Sequence, residues 1–275
     1  MAPKNKLCYN SFATQSTRFL NTKIMSGHSK WHSIKHKKGA ADAKRGKIFT
    51  QHAKMIALAA QQGGGDIDTN PALRAAIDRA KLDNLPNANI DRAIKRGTGE
   101  LKEGSTLSEV VYEGYGPGGV AVYVHVVTDN KNRAVSNVRN IFTKHGGSLG
   151  EAGCVGWMFE RKGLILLNTA GMDADTIEMT VIESGADDLT LNGDVTEVIT
   201  AYQDLNTVKH NLEQAGMKIE KAELIFHAKE QMKIDNESTA GKIVRLMEAL
   251  EEDEDVTLVS SNFDISEEIL EKLHA

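Results

Sequence analysis

EVVYEGYGPGGVAVYVHVV, residues 109–127, is where the character of the chain changes. Glu109–Tyr115 and Val120–Val127 are rich in β-branched and aromatic residues at strand spacing, and Gly116-Pro117-Gly118-Gly119 between them is turn chemistry. The pair reads as an antiparallel hairpin. From Leu107 onward the apolar period is two; before it the period is that of a helix.

Upstream, Phe49, Ala53, Ile56 and Ala60 mark one face of a helix from about Ala40 to Gln62, which Gly63-Gly64-Gly65 ends. Asn70-Pro71 is an N-cap followed by proline at the first helical position, and Leu73, Ala76, Ile77 and Ala80 face one way beyond it. After Pro86, Asn87 or Asn89 is placed to cap a third short helix ending before Gly97. Downstream, a helix is expected over Asn130–His145 and a strand around Cys154–Phe159. A β-α-β-α-β series follows over 161–227, then a helix near Ser238–Glu251, a strand at Val256–Val259 and a last helix at Ser266–Leu273.

The fold class expected is therefore α+β and multidomain. An N-terminal three-helix domain (25–99) precedes two α+β domains, the second inserted in the first. The flanking pieces 107–160 and 228–275 each lack elements and complete each other as a discontinuous domain around an insert, 161–227. Residues 1–24 are acid-free and rich in Ser, Thr and Asn. They read as an unstructured tail or as upstream sequence before a start at Met25, and a mitochondrial transit peptide has the same character.

Composition narrows the function. No apolar run approaches the roughly 18 residues of a membrane span. Cys8 and Cys154 have no CxxC spacing, which argues against a zinc module or a disulfide framework. Net charge is −5, a figure that hides an asymmetry. Residues 25–99 carry fourteen basic and six acidic side chains, whereas residues 100–275 carry fifteen basic and thirty-two acidic ones. A basic head sits on an acidic body.

Within that head Lys30, Lys35, Lys37, Lys38, Lys44, Arg45, Lys47 and Lys54 stand against one acid, Asp42. Cations at this density neutralise phosphates and release counterions; six such contacts give log K a slope near −5 against log salt, to order of magnitude. Trp31 and Phe49 are interleaved aromatics, Phe49 on the apolar stripe and so a core residue, Trp31 a candidate for stacking. On the third helix Ile90, Ala93 and Ile94 share one face and Arg92, Lys95 and Arg96 the opposite one, a second cationic site. His28, His32 and His36 fall at i, i+4 and i+8, but the surrounding lysines repel a dication. No metal is expected, and His36 with its neighbours suits hydrogen bonds to phosphate or base edges.

The glycine clusters lack the phosphate-loop continuation, and no GxSxG or HExxH is present, so neither cofactor, small-molecule substrate nor catalytic set is expected. Glu248, Glu251, Glu252, Asp253, Glu254 and Asp255 read as a solvated acidic surface, and an adaptor role for them or for 173–188 is the weaker alternative.

Several blocks resemble the YebC/PmpR family: Gly27-His28-Ser29-Lys30-Trp31, Ile34-Lys35-His36-Lys37-Lys38, and Asp42 through Thr50. Arg92-Ala93-Ile94-Lys95-Arg96-Gly97-Thr98-Gly99, Tyr112 through Gly119, and Trp157-Met158-Phe159-Glu160 add to the likeness. His32, where a small residue is common, and Gln51, where lysine is frequent, depart from it. The resemblance implies a helical domain and two nested α+β domains. Family members are described as DNA-binding transcriptional regulators of the cytoplasm. They are also described as ribosome-associated translation factors that relieve stalling at proline-rich stretches, with a mitochondrial relative that activates translation of a cytochrome c oxidase subunit. The partner expected is nucleic acid, DNA or ribosomal RNA, with the ribosome as an alternative, and no membrane. The location implied is the cytoplasm, or the mitochondrial matrix if residues 1–24 are a transit peptide. The residues alone do not separate the two roles. The lysine-rich, glycine-punctuated run suits backbone contacts better than bidentate base reading.

Overall fold

The computed structural model describes residues 41–101 and 106–274. Before Leu107 the chain is helical: α1 (Ala41–Gly63), α2 (Pro71–Leu82) and α3 (Asn87–Gly97). Their apolar stripes meet in one small core of Ile56, Ala59, Ala60, Leu73, Ile77, Ala80, Leu85, Ile90 and Ala93, with Phe49, Ala53 and Ile94 at its margin. Asn70 ties two helix ends together. Its carboxamide oxygen accepts the Leu73 N–H at 3.0 Å, and its Nδ2 donates to the carbonyls of Ala59 and Gly64 at 2.9 and 2.8 Å. One buried side chain thus caps α2 and satisfies carbonyls at the end of α1.

Neither Asn87 nor Asn89 caps α3, contrary to the sequence reading. Pro86 is the N-cap residue, with φ −59°, and its carbonyl accepts the N–H groups of Asn89 and Ile90 at 2.9 and 3.2 Å. Proline already fixes the turn into the helix, and both asparagines lie inside it. Where α3 meets α1, a Cβ on Gly97 would collide with the Ala57 carbonyl, so only glycine permits this approach.

The body begins with the expected hairpin, β1 (Ser108–Tyr115) and β2 (Ala121–Thr128), in register Glu113↔Tyr123. Gly118, at φ 77°, occupies the left-handed position that the turn demands. Then come α4 (Lys131–Lys144), capped by Asn130, and the two-residue β3 (Ser148–Leu149), which pairs with β1. After the inserted unit the chain returns as β8 (Met232–Ile234), α7 (Glu237–Glu251), β9 (Val256–Ser261), β10 (Phe263–Ile265) and α8 (Glu267–His274). The antiparallel sheet has the order β3-β1-β2-β9, and β8 pairs with β10 in parallel. Val122, Val124 and Val126 point to one face, where Ala134, Val138 and Phe142 of α4 and Ile243, Leu246, Met247 and Leu250 of α7 cover them. Each of these side chains larger than alanine, fully removed from water, contributes on the order of 1.5–3 kcal/mol.

The inserted unit runs β4 (Phe159–Asn168), α5 (Ala174–Glu183), β5 (Asp188–Asn192), β6 (Val195–Ala201), α6 (Leu205–Gln214) and β7 (Lys218–Ala228). Its sheet is antiparallel in the order β5-β6-β4-β7, the split βαββαβ topology. Ile165, Leu167 and Val198 of the sheet bury against Ile177 and Val181 of α5 and Val208 and Leu212 of α6. The chain leaves the body at Phe159 and comes back at Ala228, which are paired neighbours. The fold is thus α+β, a three-helix head followed by two α+β units with the second inserted in the first. No described helix is long and apolar enough to cross a membrane.

Cys154–Phe159 does not form the strand expected there. Gly156–Met158 is a single 3-10 turn, and the strand starts at Phe159 and continues unbroken to Asn168. The cause is Glu113. Its buried carboxylate accepts the N–H groups of Gly153, Val155 and Gly156 at 2.8, 2.8 and 2.6 Å, diverting them from any ladder. Burial opposes ionisation of Glu113, but those three backbone donors outweigh it and hold its pKa below the usual carboxylate value.

Candidate nucleic-acid interface

Two helices build the candidate site. The first half of α1 and the outer side of α3 enclose a groove lined by Gly46, Phe49, Thr50, Ala53 and Lys54 from α1, and by Asn89, Arg92, Ala93 and Arg96 from α3, with Leu101 beyond. Phe49, Ala53 and Ala93 belong to the head core or pack on it, which fixes the polar residues between them in place. Phe49 is half-buried in that core, as its place on the stripe implies.

The cations of α3 divide into two kinds. Arg92 and Lys95 are exposed and form no ion pair with any described residue. Lys95 stands in the last turn of the helix, where the dipole favours positive charge, and Arg92 at its middle. Arg96 is half-buried, with its guanidinium 3.8 Å from Asp129.

Lys54 is a correction to the sequence reading. Its ammonium lies 2.6 Å from Asp255 and 2.7 Å from the Glu254 carbonyl, and its side chain is 12% exposed, so its charge is engaged by the body even though the residue lines the groove. Asp255, grouped by sequence with solvated acids, is buried: it also accepts from Arg133 at 2.9 Å and from Thr128 at 3.1 Å. Burial raises the Asp255 pKa, but hydrogen bonds from Lys54 and Arg133 prevail and hold it below the ordinary aspartate value. Arg133 reaches Asp129 as well, at 3.0 Å, so Lys54, Asp255, Arg133, Asp129 and Arg96 form one alternating chain of charges between head and body. Gln51 adds a hydrogen bond from α1 to the Val256 carbonyl at 2.5 Å.

Lys44 and Arg45 fall in the first turns of α1, and Lys47 is half-buried one turn on. Lys30, Trp31, Lys35, His36, Lys37 and Lys38, with the histidine series at 28, 32 and 36, lie outside the described residues. Sequence reasoning gave Thr50 and Asn89 no place in the groove and Asp129, Arg133 and Asp255 no place in the network; it read Asn89 as a cap and Asp255 as a solvated acid. Only their convergence in space marks them, since Lys54 and Asp255 are 201 residues apart.

Two family descriptions match. "TACO1/YebC protein N-terminal domain" covers residues 29–100, and "TACO1/YebC second and third domain" covers residues 107–263. The chain belongs to the TACO1/YebC family. Among its relatives in that family, a "probable transcriptional regulatory protein" of Persephonella marina is 52% identical over 250 residues, 90% of this chain and 100% of that one. One of the same description from Geobacter sulfurreducens is 52% identical over 249 residues, again 90% of this chain and 100% of that one. A crystal structure of a TACO1/YebC relative, the conserved hypothetical protein Aq1575 from Aquifex aeolicus, superposes with a TM-score of 0.76 at 47% identity. It covers 85% of this chain and 96% of that one.

Proposed function

We propose that this chain is a non-enzymatic, nucleic-acid-binding regulator of gene expression that acts on DNA in transcription, in the cytoplasm, through its helical head. The observation that carries the reading is the outer side of α3, where Arg92 and Lys95 stand exposed beside the α1–α3 groove without a carboxylate partner among the described residues. Cations left unpaired on a rigid element are free to neutralise phosphate. The charge partition of the sequence supports the same end of the molecule, since the lysines of 30–47 precede or open α1. The names of the bacterial relatives, which match over nine-tenths of the chain, support a transcriptional role.

The test is retention of promoter DNA fragments across a salt series. Arg92→Gln with Lys95→Gln lowers the slope of log K against log salt by roughly 2, on the order of 0.9 for each phosphate no longer neutralised. Lys35, Lys37, Lys38, Lys44, Arg45 and Lys47 changed together to Gln abolish retention while the body stays folded. Unchanged retention in both variants rejects the head as the contact surface. Co-sedimentation with ribosomes at salt that abolishes DNA retention rejects the transcriptional reading in favour of translation.

A further inference from the structure

Trp157 is 68% exposed, yet it is held with care. The 3-10 turn that carries it is pinned from below by the Glu113 carboxylate, which takes three backbone N–H groups from Gly153, Val155 and Gly156. The indole Nε1 donates to the Cys154 carbonyl at 3.2 Å. Tyr115, 39% exposed at the end of β1, donates its hydroxyl to that same carbonyl at 3.0 Å. Lys229 donates its ammonium to the Trp157 carbonyl at 2.8 Å.

Three features of this arrangement point to one ligand. The polar tips of both rings are spent on a single internal acceptor, so what remains for a partner is ring surface, not a hydrogen-bond donor. The mount is rigid, so a flat ligand meets a preformed surface and little ordering is required. The exposed area is that of one or two rings, far below the roughly 800 Å² per partner of a stable protein interface, and of the size of a base.

We propose that Trp157, flanked by Tyr115, is a stacking platform for an unpaired nucleobase of the nucleic acid held by the head. The platform lies at the Tyr115 end of β1, and the head docks at the Leu107 end, where Gln61 bonds Leu107. Eight strand residues at about 3.3 Å each separate the two, so one strand bound at both sites bridges on the order of 25 Å. The inference rests on the nucleic-acid reading of the head and deepens it: the ligand carries unpaired bases at that distance from the cationic contact.

The test uses the full chain with a labelled single-stranded oligonucleotide of about 20 nucleotides and a duplex of equal length. Anisotropy reports binding; tryptophan emission reports the platform. Trp31 and Trp157 are the only tryptophans, so Trp157→Phe reports Trp31 alone and its difference from the unaltered protein reports Trp157. The single strand quenches Trp157 by about half and the duplex leaves it unchanged, while Trp157→Ala weakens single-strand affinity about ten-fold and duplex affinity by less than about two-fold. Oligonucleotide binding by anisotropy with silent Trp157 emission overturns the platform and leaves the head reading standing. Absence of binding to either nucleic acid overturns both. Emission that ignores oligonucleotides but shifts with an extended apolar peptide assigns the surface to a protein partner and overturns the proposal.

Discussion

At the Leu107 end of the body sheet the head is fastened by a small apolar seam, Ala57 and Leu58 against Leu107 and Val127, and by charge, Lys54 on Asp255 and Arg96 on Asp129, with Arg133 linking the two carboxylates. On the outer face of the same sheet the inserted unit is fastened by rings. Tyr123 meets Phe159 and Phe226 at centroid distances of 5.5 and 4.9 Å, and His125 lies 4.6 Å from Phe226. Ala121, Val155 and Ala228 fill in between. The head does touch the inserted unit as well, but again through charge, with Arg79 of α2 on Glu223 of β7. Ionic attachments weaken with salt where they are exposed and yield to a competing polyanion; apolar burial does neither. The comparison teaches that the proposed nucleic-acid-contacting part is the one whose seating rests in part on charge, most open to salt at Arg96 and Asp129.

The largest effect is expected from breaking the aromatic junction. Phe159→Ala destabilises the protein by about 3–5 kcal/mol, read as a lower urea midpoint, because a buried ring leaves a cavity where two units meet. Next comes Asp255→Asn, at roughly 3 kcal/mol, since Lys54 is left without its charge partner. The visible consequence is faster amide exchange in α1–α3, with the sheet of the inserted unit unaltered; uniform acceleration would show that the two junctions are one cooperative unit. Acid has the same sense. The folded pKa of Asp255 lies below its unfolded value near 3.8, so its stabilisation is complete above that value and is lost as pH falls through the folded pKa.

A double-mutant cycle sharpens the contrast. Lys54→Met combined with Asp255→Asn shows a coupling of roughly 1–3 kcal/mol, whereas Arg96→Gln with Asp129→Asn, a pair at 3.8 Å and about one-third exposed, shows less than about 1 kcal/mol. Equal couplings would mean that burial does not decide the strength of these pairs. The smallest effect concerns His125. Burial lowers its pKa below 6.5, against the pull of Glu109 at 3.4 Å. Between the folded and unfolded values the unfolded chain holds the extra proton, so acidification through that window costs stability. His125→Phe flattens the fall in melting temperature between about pH 7.5 and 5.5; an unaltered pH dependence would place the titrating group elsewhere.

Much of this fold was legible in the residues, because it rests on local patterns. The stripes of α1 and α2, the Asn70 cap and the hairpin at 109–127 are all set by neighbours within a few positions. The nesting was legible too, from fragments that needed each other. What escaped reading depends on distant partners. β3, β8 and β10 have two or three residues each, too few to show a period, and exist because another strand offers its edge. The turn at 156–158 is dictated by Glu113, some forty positions earlier. Lys54 looked like one more cation of the basic run, and nothing near it in sequence reveals Asp255. Of the candidate site, the exposure of Arg92 and Lys95 was legible from helical geometry; the pairing of Arg96 with Asp129 and the groove beside them were not.

The pairing of β2 with β9 has a consequence for how the protein is made. About 130 residues separate these neighbours, so at translation rates of roughly 5–20 residues per second the valine-rich edge of β2 waits for on the order of ten seconds. During that interval the inserted unit, whose strands are all closer in sequence, is complete and already closed. Nascent chains therefore carry a finished globule flanked by a half-built sheet with an open edge, the kind of edge that recruits other chains. Roughly half of that delay is the time taken to make the inserted unit, residues 159–228.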